Sequence, residues 1–537
     1  MSEAIAAEQH DVLIVGAGFA GLRLLDLMRR QGRRARVLEA GDGVGGTWYW
    51  NRYPGARCDV ESMQYSYQFD PALEAEWDWS ERYAAQPEIL AYAEAVAERL
   101  DLTRDIRFGT RVRSAVWDGA LWRLESEDGA AFEAPICIMA TGCLSAPNVP
   151  DLPGLKDFSG PVHHTGDWPH EGVDFSGQRV GVIGTGSSGI QSIPRIARQA
   201  ASLTVFQRTA NFAVPAWNRP LSEAERASVR AEYAALRARQ KRSPNAIDRP
   251  GPVGSAARTS AEARQAEFEA RWEAGGLPFL SAFDDLLLDP QANAWAADFV
   301  RARIREIVQD PATAELLCPT DLIGCKRLCV EIGYFETFNL PHVRLVDLRP
   351  GDGGRGGIET VTPGGLRAAG ETFELDALVL ATGFDAMTGA LLRIDVRGED
   401  GRSLRQDWAE GPASYLGLMV AGYPNLFTVT GPQSPSVLTN MIVSIEQHCE
   451  WIADAVAALE ARGASRMAAE DSAQAAWTEA NAAMAEGSMR EACGSWYRGA
   501  NIPGKSAVYM PYVGGFPAYT EALEGITARG YEGFSFA

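Results

Sequence analysis

The sequence predicts an α/β protein with two Rossmann-like units and a helical insertion. Three observations carry this. The apolar run DVLIV (11–15) leads into Gly16-x-Gly18-x-x-Gly21 and a helical stretch ending near Gly32. The run RVGVI (179–183) repeats the pattern with Gly184-x-Gly186-x-x-Gly189. Between about 222 and 310, Ala, Glu and Arg dominate, with apolar residues at helical spacing, as in SAEARQAEFEARWEA.

The elements follow in order. ARVLEA (35–40) is the second strand of the first unit, and LTVFQR (203–208) that of the second. RPGPVG marks the front edge of the helical stretch. Strands return at HVRLVDL, at LDALVLATGF ending on Thr382-Gly383, and at NLFTVTG after Pro424. GDGGRGG reads as a surface turn. A long helix, IVSIEQHCEWIADAVAAL, comes next. The first unit is therefore completed by C-terminal residues, and the second is inserted in the middle.

Bulk composition narrows the class. The chain has 537 residues, 46% hydrophobic and 22% charged, as expected for globular domains. Its net charge of −20 argues against a general nucleic-acid or anionic-membrane surface. No basic-then-apolar leader opens the chain, and no window approaches about 20 uninterrupted apolar residues. None of the eight cysteines has CxxC spacing, so zinc and thioredoxin-like readings are weak and no metal is expected. A cytoplasmic protein with reduced thiols is the simplest reading.

The glycine motifs carry chemistry. In the first, Gly16 permits the tight turn, Gly18 lets the backbone approach a pyrophosphate, and Gly21 allows close helix–strand packing. Phe19 opens the helix, whose free N–H groups face the phosphates. Glu39, at the end of the second strand, stands where a ribose hydroxyl ligand belongs. In the second motif, Thr185, Ser187, Ser188 and Gln191 accompany the glycines, and the second strand ends in Gln207, Arg208 and Thr209. An acid there would repel a 2′-phosphate, whereas a guanidinium pairs with it, so NADPH is preferred over NADH. The plainer reading of Arg208, a solvated strand-end charge, has less weight than the 2′-phosphate contact. Two such units suggest a flavoprotein reduced by a nicotinamide. A disulfide reductase would need a redox cysteine pair after the first unit, where only Cys58 stands.

Between the units lies Phe158-x-Gly160-x-x-x-His164-x-x-x-Trp168-Pro169. This is similar to the fingerprint FxGxxxHxxxW[PD] of Baeyer–Villiger monooxygenases of the FAD-plus-NADPH type, complete at every fixed position. Amine- and sulfide-oxidising relatives usually lack the Trp-Pro. The resemblance spans nearly the whole chain. It includes Gly45–Asp59 (GGTWYWNRYPGARCD), Asp376 with Ala381-Thr382-Gly383, GCKRLCVEIGYFETFN around Lys326-Arg327, and Trp496-Tyr497-x-Gly499-x-Asn501-Ile502-Pro503-Gly504-Lys505.

The resemblance implies that NADPH reduces FAD, that oxygen then gives a peroxyflavin, and that this oxidises a ketone to an ester or lactone. Such chemistry demands a fixed cation beside the anionic peroxide and the tetrahedral oxyanion. By motif that cation is Arg327, with Asp59 as its acid; without the resemblance the pair would read as a structural salt bridge. Lys326 matches a 2′-phosphate contact, and Thr47, Trp48, Asp59, Tyr65 and Met441 match flavin contacts. Trp496 matches a residue of the loop, near 490–505, that closes over NADP. His164 reads as structural, and His448 as packed. The implied organisation is an FAD unit over 1–150 and 385–537, an NADP unit over 151–221 and 326–384, and the insertion over 222–325. Heteroatom oxygenation and NADPH-driven electron transfer are the alternatives. Expected partners are a ketone and O2, with no nucleic acid or membrane, the chain being a monomer or weak homo-oligomer.

Overall fold

A computed structural model describes residues 7–349, 357–486, 488–491 and 493–537. Residues 1–6, and the GDGGRGG turn up to its last glycine, lie outside the described residues. Of three five-stranded sheets among the described residues, the two that are entirely parallel organise the chain. In chain order their strands are β1 (Val12–Val15), β2 (Ala35–Leu38), β3 (Ile106–Arg107), β4 (Ile136–Met139), β5 (Val162–His164), β6 (Arg179–Ile183), β7 (Ser202–Gln207), β8 (Val343–Asp347), β9 (Ala377–Leu380) and β10 (Leu426–Thr428). The first sheet runs β10-β4-β1-β2-β3 and the second β8-β7-β6-β9-β5. The mixed α/β class is as the sequence predicts. β1, β4 and β9 are buried along their whole length, which is why they read as unbroken apolar runs: one face of each sheet is covered by a further β-sheet, over residues 112–134 on β1 and β4 and over 358–374 on β9.

Each sheet feeds a helix through its glycine loop. Helix α1 (Phe19–Arg30) follows β1, and α2 (Ser187–Ala197) follows β6. Their N-caps, Gly18 and Gly186, offer no side chain to the first turn, so its N–H groups are left for another acceptor. A long helix, α3 (Met441–Ala461), covers α1. Gln31 Nε2 donates to the Ala453 carbonyl at 2.9 Å, and Arg23 reaches Glu450 at 3.1 Å.

Part of the Trp-Pro fingerprint, which lies between the two glycine units in sequence, belongs to the second sheet. Residues Val162–His164 pair in parallel with β9 and form the edge of the second sheet. The stretch Thr47–Trp50 is one turn of helix.

The insertion is helical, over Glu223–Ala231, Tyr233–Arg242, Ala261–Ala274, Pro290–Ile307 and Pro311–Leu317. Local chemistry starts these helices. Ser222 and Glu225 form a capping box, Ser260, Asp289 and Asp310 cap their helices, and Pro290 and Pro311 occupy first-turn positions. Phe268, Trp272, Phe279 and Phe299 interlock as its core. No helix among the described residues is long and apolar enough to cross a membrane.

Candidate active site

The two glycine loops are built alike. Gly16 and Gly184 have φ of 106° and 107°, and a Cβ on either would lie 2.6 or 2.5 Å from a carbonyl, that of Ala140 or Ala381. Those carbonyls belong to Ala140-Thr141-Gly142 and Ala381-Thr382-Gly383, the same tripeptide at the ends of β4 and β9. A Cβ on Gly21 would lie 1.9 Å from the Gly16 carbonyl, and one on Gly189 2.4 Å from that of Gly184. Space beside Gly186 is open, since nothing stands within 4 Å of a Cβ built there. Backbone approach to a phosphate is thus possible at both helix N-termini.

A cavity of about 750 Å³ starts at the first loop. Gly16, Gly18, Phe19, Glu39, Thr47, Trp48, Asp59, Tyr65, Ser187, Gln191, Arg327, Met441 and Trp496 all line it. The sequence-predicted residues of the first unit, apart from Gly21, therefore converge on one space. Glu39 is buried, and its carboxylate accepts from the Ala17 and Gly41 N–H groups at 2.6 and 2.8 Å, which fixes the loop. Trp48 Nε1 donates to Tyr65 Oη at 3.2 Å, setting both rings on the wall.

Arg327 and Asp59 meet on that wall. Arg327 Nη2 donates to Asp59 Oδ1 at 2.9 Å, Nε donates to Oδ2, and Nη1 donates to the Val437 carbonyl at 2.6 Å. Both side chains are 23% exposed. Burial alone would lower the guanidinium pKa, but the Asp59 carboxylate more than offsets this and holds it above its ordinary value. Arg327 is positioned by the strand Cys329–Glu331, which pairs in parallel with Ala213–Pro215. Three of the five guanidinium N–H groups are engaged, leaving one on each Nη.

The second unit's residues are placed differently. Gly184, Thr185, Gly186, Ser188, Gly189, Gln207, Arg208, Thr209 and Lys326 do not line the large cavity. Arg208 is exposed at the end of β7, with no carboxylate in ion-pair range among the described residues. Lys326 pairs with Asp321 at 3.3 Å, so its charge is partly committed. Thr185 Oγ1 donates to the Thr209 carbonyl at 3.0 Å, and Gln207 Nε2 to that of Leu316 at 2.7 Å. Gln191 ties the two units: Tyr53 Oη donates to its Oε1 at 2.7 Å, and its Nε2 donates to the Arg57 carbonyl at 3.1 Å. Asp376 binds Arg179 across β6 and β9.

Neither singled-out histidine lines the cavity. His164 Nδ1 accepts from the Gly166 N–H at 2.9 Å and Nε2 meets Thr382 Oγ1 at 3.2 Å; burial lowers its pKa. His448 is fully buried between the Thr430 N–H and Tyr519 Oη, its pKa pushed down to about 3 by burial.

Sequence reasoning missed several wall residues, among them Thr141, Cys143, Val437 and Thr439. The repeated Ala-Thr-Gly was the available signal for the first. The reading of uniformly reduced thiols is corrected: Cys325 and Cys493 are joined by a disulfide, their Cα atoms 5.7 Å apart, because the C-terminal loop folds onto the Arg327 segment. The other six cysteines are buried and free.

Comparison with known proteins adds to this geometry. A family model described as pyridine nucleotide-disulphide oxidoreductase matches residues 13–254. The chain is 40% identical to a phenazine N-monooxygenase of Lysobacter antibioticus, covering 98% of this chain and 96% of the relative. It is 40% identical to a Baeyer–Villiger monooxygenase of Pseudooceanicola batsensis, over 97% of this chain and 95% of the relative. A solved structure of an oxidized steroid monooxygenase bound to NADP superimposes with a TM-score of 0.92 at 50% identity, covering 98% of this chain and 99% of that one. With two glycine loops, the Trp-Pro fingerprint and full-length relatives of this kind, the chain belongs to the Baeyer–Villiger monooxygenase family.

Proposed function

We propose that this protein uses FAD, NADPH and O2 to insert one oxygen atom beside a ketone carbonyl, giving an ester or lactone, with Arg327 as the fixed cation. The Arg327–Asp59 pair, on the wall of the cavity that begins at the first glycine loop, carries this reading. Bound flavin and nicotinamide would supply hydride transfer and oxygen activation.

The chain's own residues supply the rest. Gly16, Gly18 and the open first turn of α1 would hold the flavin pyrophosphate, with Glu39 toward its ribose. Gly186 and α2 would do the same for NADPH, and Arg208 would pair with the 2′-phosphate. Asp59 and the Val437 carbonyl fix the guanidinium, and its two remaining N–H groups would stabilise an oxyanion on the substrate carbonyl. A guanidinium with a raised pKa keeps its proton, so it stabilises charge without quenching a peroxide. Trp496, on the same wall, would help exclude water as its loop closes.

A second reading has one specific support, the relative named for N-oxygenation of phenazine. The deciding experiment follows NADPH consumption with a panel of cyclic, aromatic and steroidal ketones, and with phenazine, beside product mass. A product one oxygen heavier that hydrolyses as an ester is expected. An N-oxide from phenazine with no ester from any ketone favours the second reading. Hydrogen peroxide release without an oxygenated product overturns both. Arg327→Ala should keep its flavin content and lose at least ~100-fold in ester formation; retained product would remove the role given to Arg327.

A further inference from the structure

Two cysteines outside the proposed chemistry join two parts of its machinery. Cys325 directly precedes Lys326 and Arg327. Cys493 stands three residues before Trp496. Their Cα atoms lie 5.7 Å apart, 168 positions apart in sequence, and both side chains are buried. That separation between Cα atoms is within the range a disulfide spans without backbone movement.

The segment that Cys493 anchors has little structure of its own. From 488 to 509 its only regular element among the described residues is the short 3-10 turn Trp496–Arg498. It is held to the body by Tyr497, buried against Cys143, Met387 and Val437, by the Lys505–Asp385 ion pair, and by a few hydrogen bonds. Arg490 Nε donates to the Gly324 carbonyl at 3.1 Å, Asn501 Nδ2 to that of Phe384 at 2.8 Å, and Lys505 Nζ to that of Ala386 at 2.8 Å. Asn501 Oδ1 and Tyr509 Oη are buried without a partner, which weakens the seat further. One covalent bond would therefore change the opening of this segment more than any single contact in it.

We propose that Cys325 and Cys493 form a reversible, peroxide-driven cross-link that locks the 488–505 segment over the nicotinamide nucleotide. The oxidant is hydrogen peroxide, which NADPH oxidation without a substrate would release. One thiolate attacks the peroxide, its O–O bond breaks, and a sulfenic acid and one water result. The second thiol then attacks that sulfur, the S–S bond forms and a second water leaves. Overall, two thiols lose two electrons and two protons, and hydrogen peroxide becomes two waters. The oxidised form keeps Trp496 against the cavity, so nucleotide exchange, and with it turnover, slows. A protein short of its substrate would thus limit its own wasteful consumption of NADPH.

The proposal rests on the functional reading above for its nucleotide and peroxide, but the cross-link is testable without activity. The flavin-loaded protein is treated with hydrogen peroxide or with dithiothreitol, then digested without reduction. A peptide joining the Cys325 and Cys493 segments is expected after peroxide and absent after dithiothreitol. NADP+ release, followed by rapid mixing, should be slower by roughly tenfold in the oxidised protein and recover on reduction. Cys493→Ser and, separately, Cys325→Ser should release NADP+ at the reduced rate under both treatments. Absence of the joined peptide, or its presence with unchanged NADP+ release, overturns the proposal. Failure of the reduced protein to bind NADP+ at all would instead count against the functional reading.

Discussion

At the scale of single residues, charge decides the site. Arg327 and Asp59 are 268 positions apart, so no spacing rule could pair them. Only resemblance to a family singled them out from the chain's many Arg and Asp side chains. The folded chain gives the physical reason for the pairing: a half-buried guanidinium needs a carboxylate to stay charged cheaply. Arg208 is a different case, because its place at the end of β7 follows from the local pattern and was legible directly. It is exposed and free of carboxylates among the described residues, so its charge is available to a ligand. Arg208→Ala should raise the KM for NADPH by about 10- to 100-fold, the worth of one or two charge-assisted hydrogen bonds, and leave that for NADH within about twofold. Steady-state kinetics with both nucleotides checks this; equal effects would assign the 2′-phosphate to other residues. Lys326, tied to Asp321, would then be the next to test.

At the scale of elements, the glycine loops were the most legible feature, because a tight turn, an open helix N-terminus and close helix–strand packing are local demands that only glycine meets. The fingerprint strand β5 was illegible as a strand. Three residues with one buried position carry no periodicity, and its pairing partner β9 lies far along the chain. Helix α3 was legible in length and position but concealed a titrating group. Glu446 is buried on this helix and accepts from the Gln68 and Phe69 N–H groups at 2.8 and 3.0 Å. Burial raises its pKa from 4.5 to about 7. The folded state therefore holds a proton that the unfolded state releases, and stability falls as pH rises through that window. The loss is of the order of 3 kcal/mol at 1.4 kcal/mol per pH unit. Glu446→Gln keeps an acceptor for both N–H groups without the charge. It should raise Tm at about pH 8 and change it little at about pH 5. Thermal unfolding at both values tests this; an equal shift at each would show that ionisation of Glu446 is not the cause.

At the scale of the whole molecule, the α/β class and two units were readable because each unit announces itself within a few dozen residues. The way the first sheet is completed is a matter of long-range pairing. β10 lies beside β4, with Leu426 opposite Cys137, after the second unit and the insertion have both intervened. That arrangement has a consequence for the protein's birth on the ribosome. Until residue 428 has emerged, β4 is the outermost strand of a sheet, and its Ile-Cys-Ile-Met backbone is an unpaired, apolar edge. The second unit, whose strands are all in place by Leu380, can be complete while the first still waits. A chain ending at residue 420 should therefore give aggregates when made alone, and soluble material with native-like circular dichroism would contradict this. Supplying a synthetic 421–537 fragment during synthesis should rescue part of it. Translation speed across the stretch between β4 and β10 thus sets how long a sticky edge is exposed, which makes codon choice and chaperone supply there levers on the yield of folded protein.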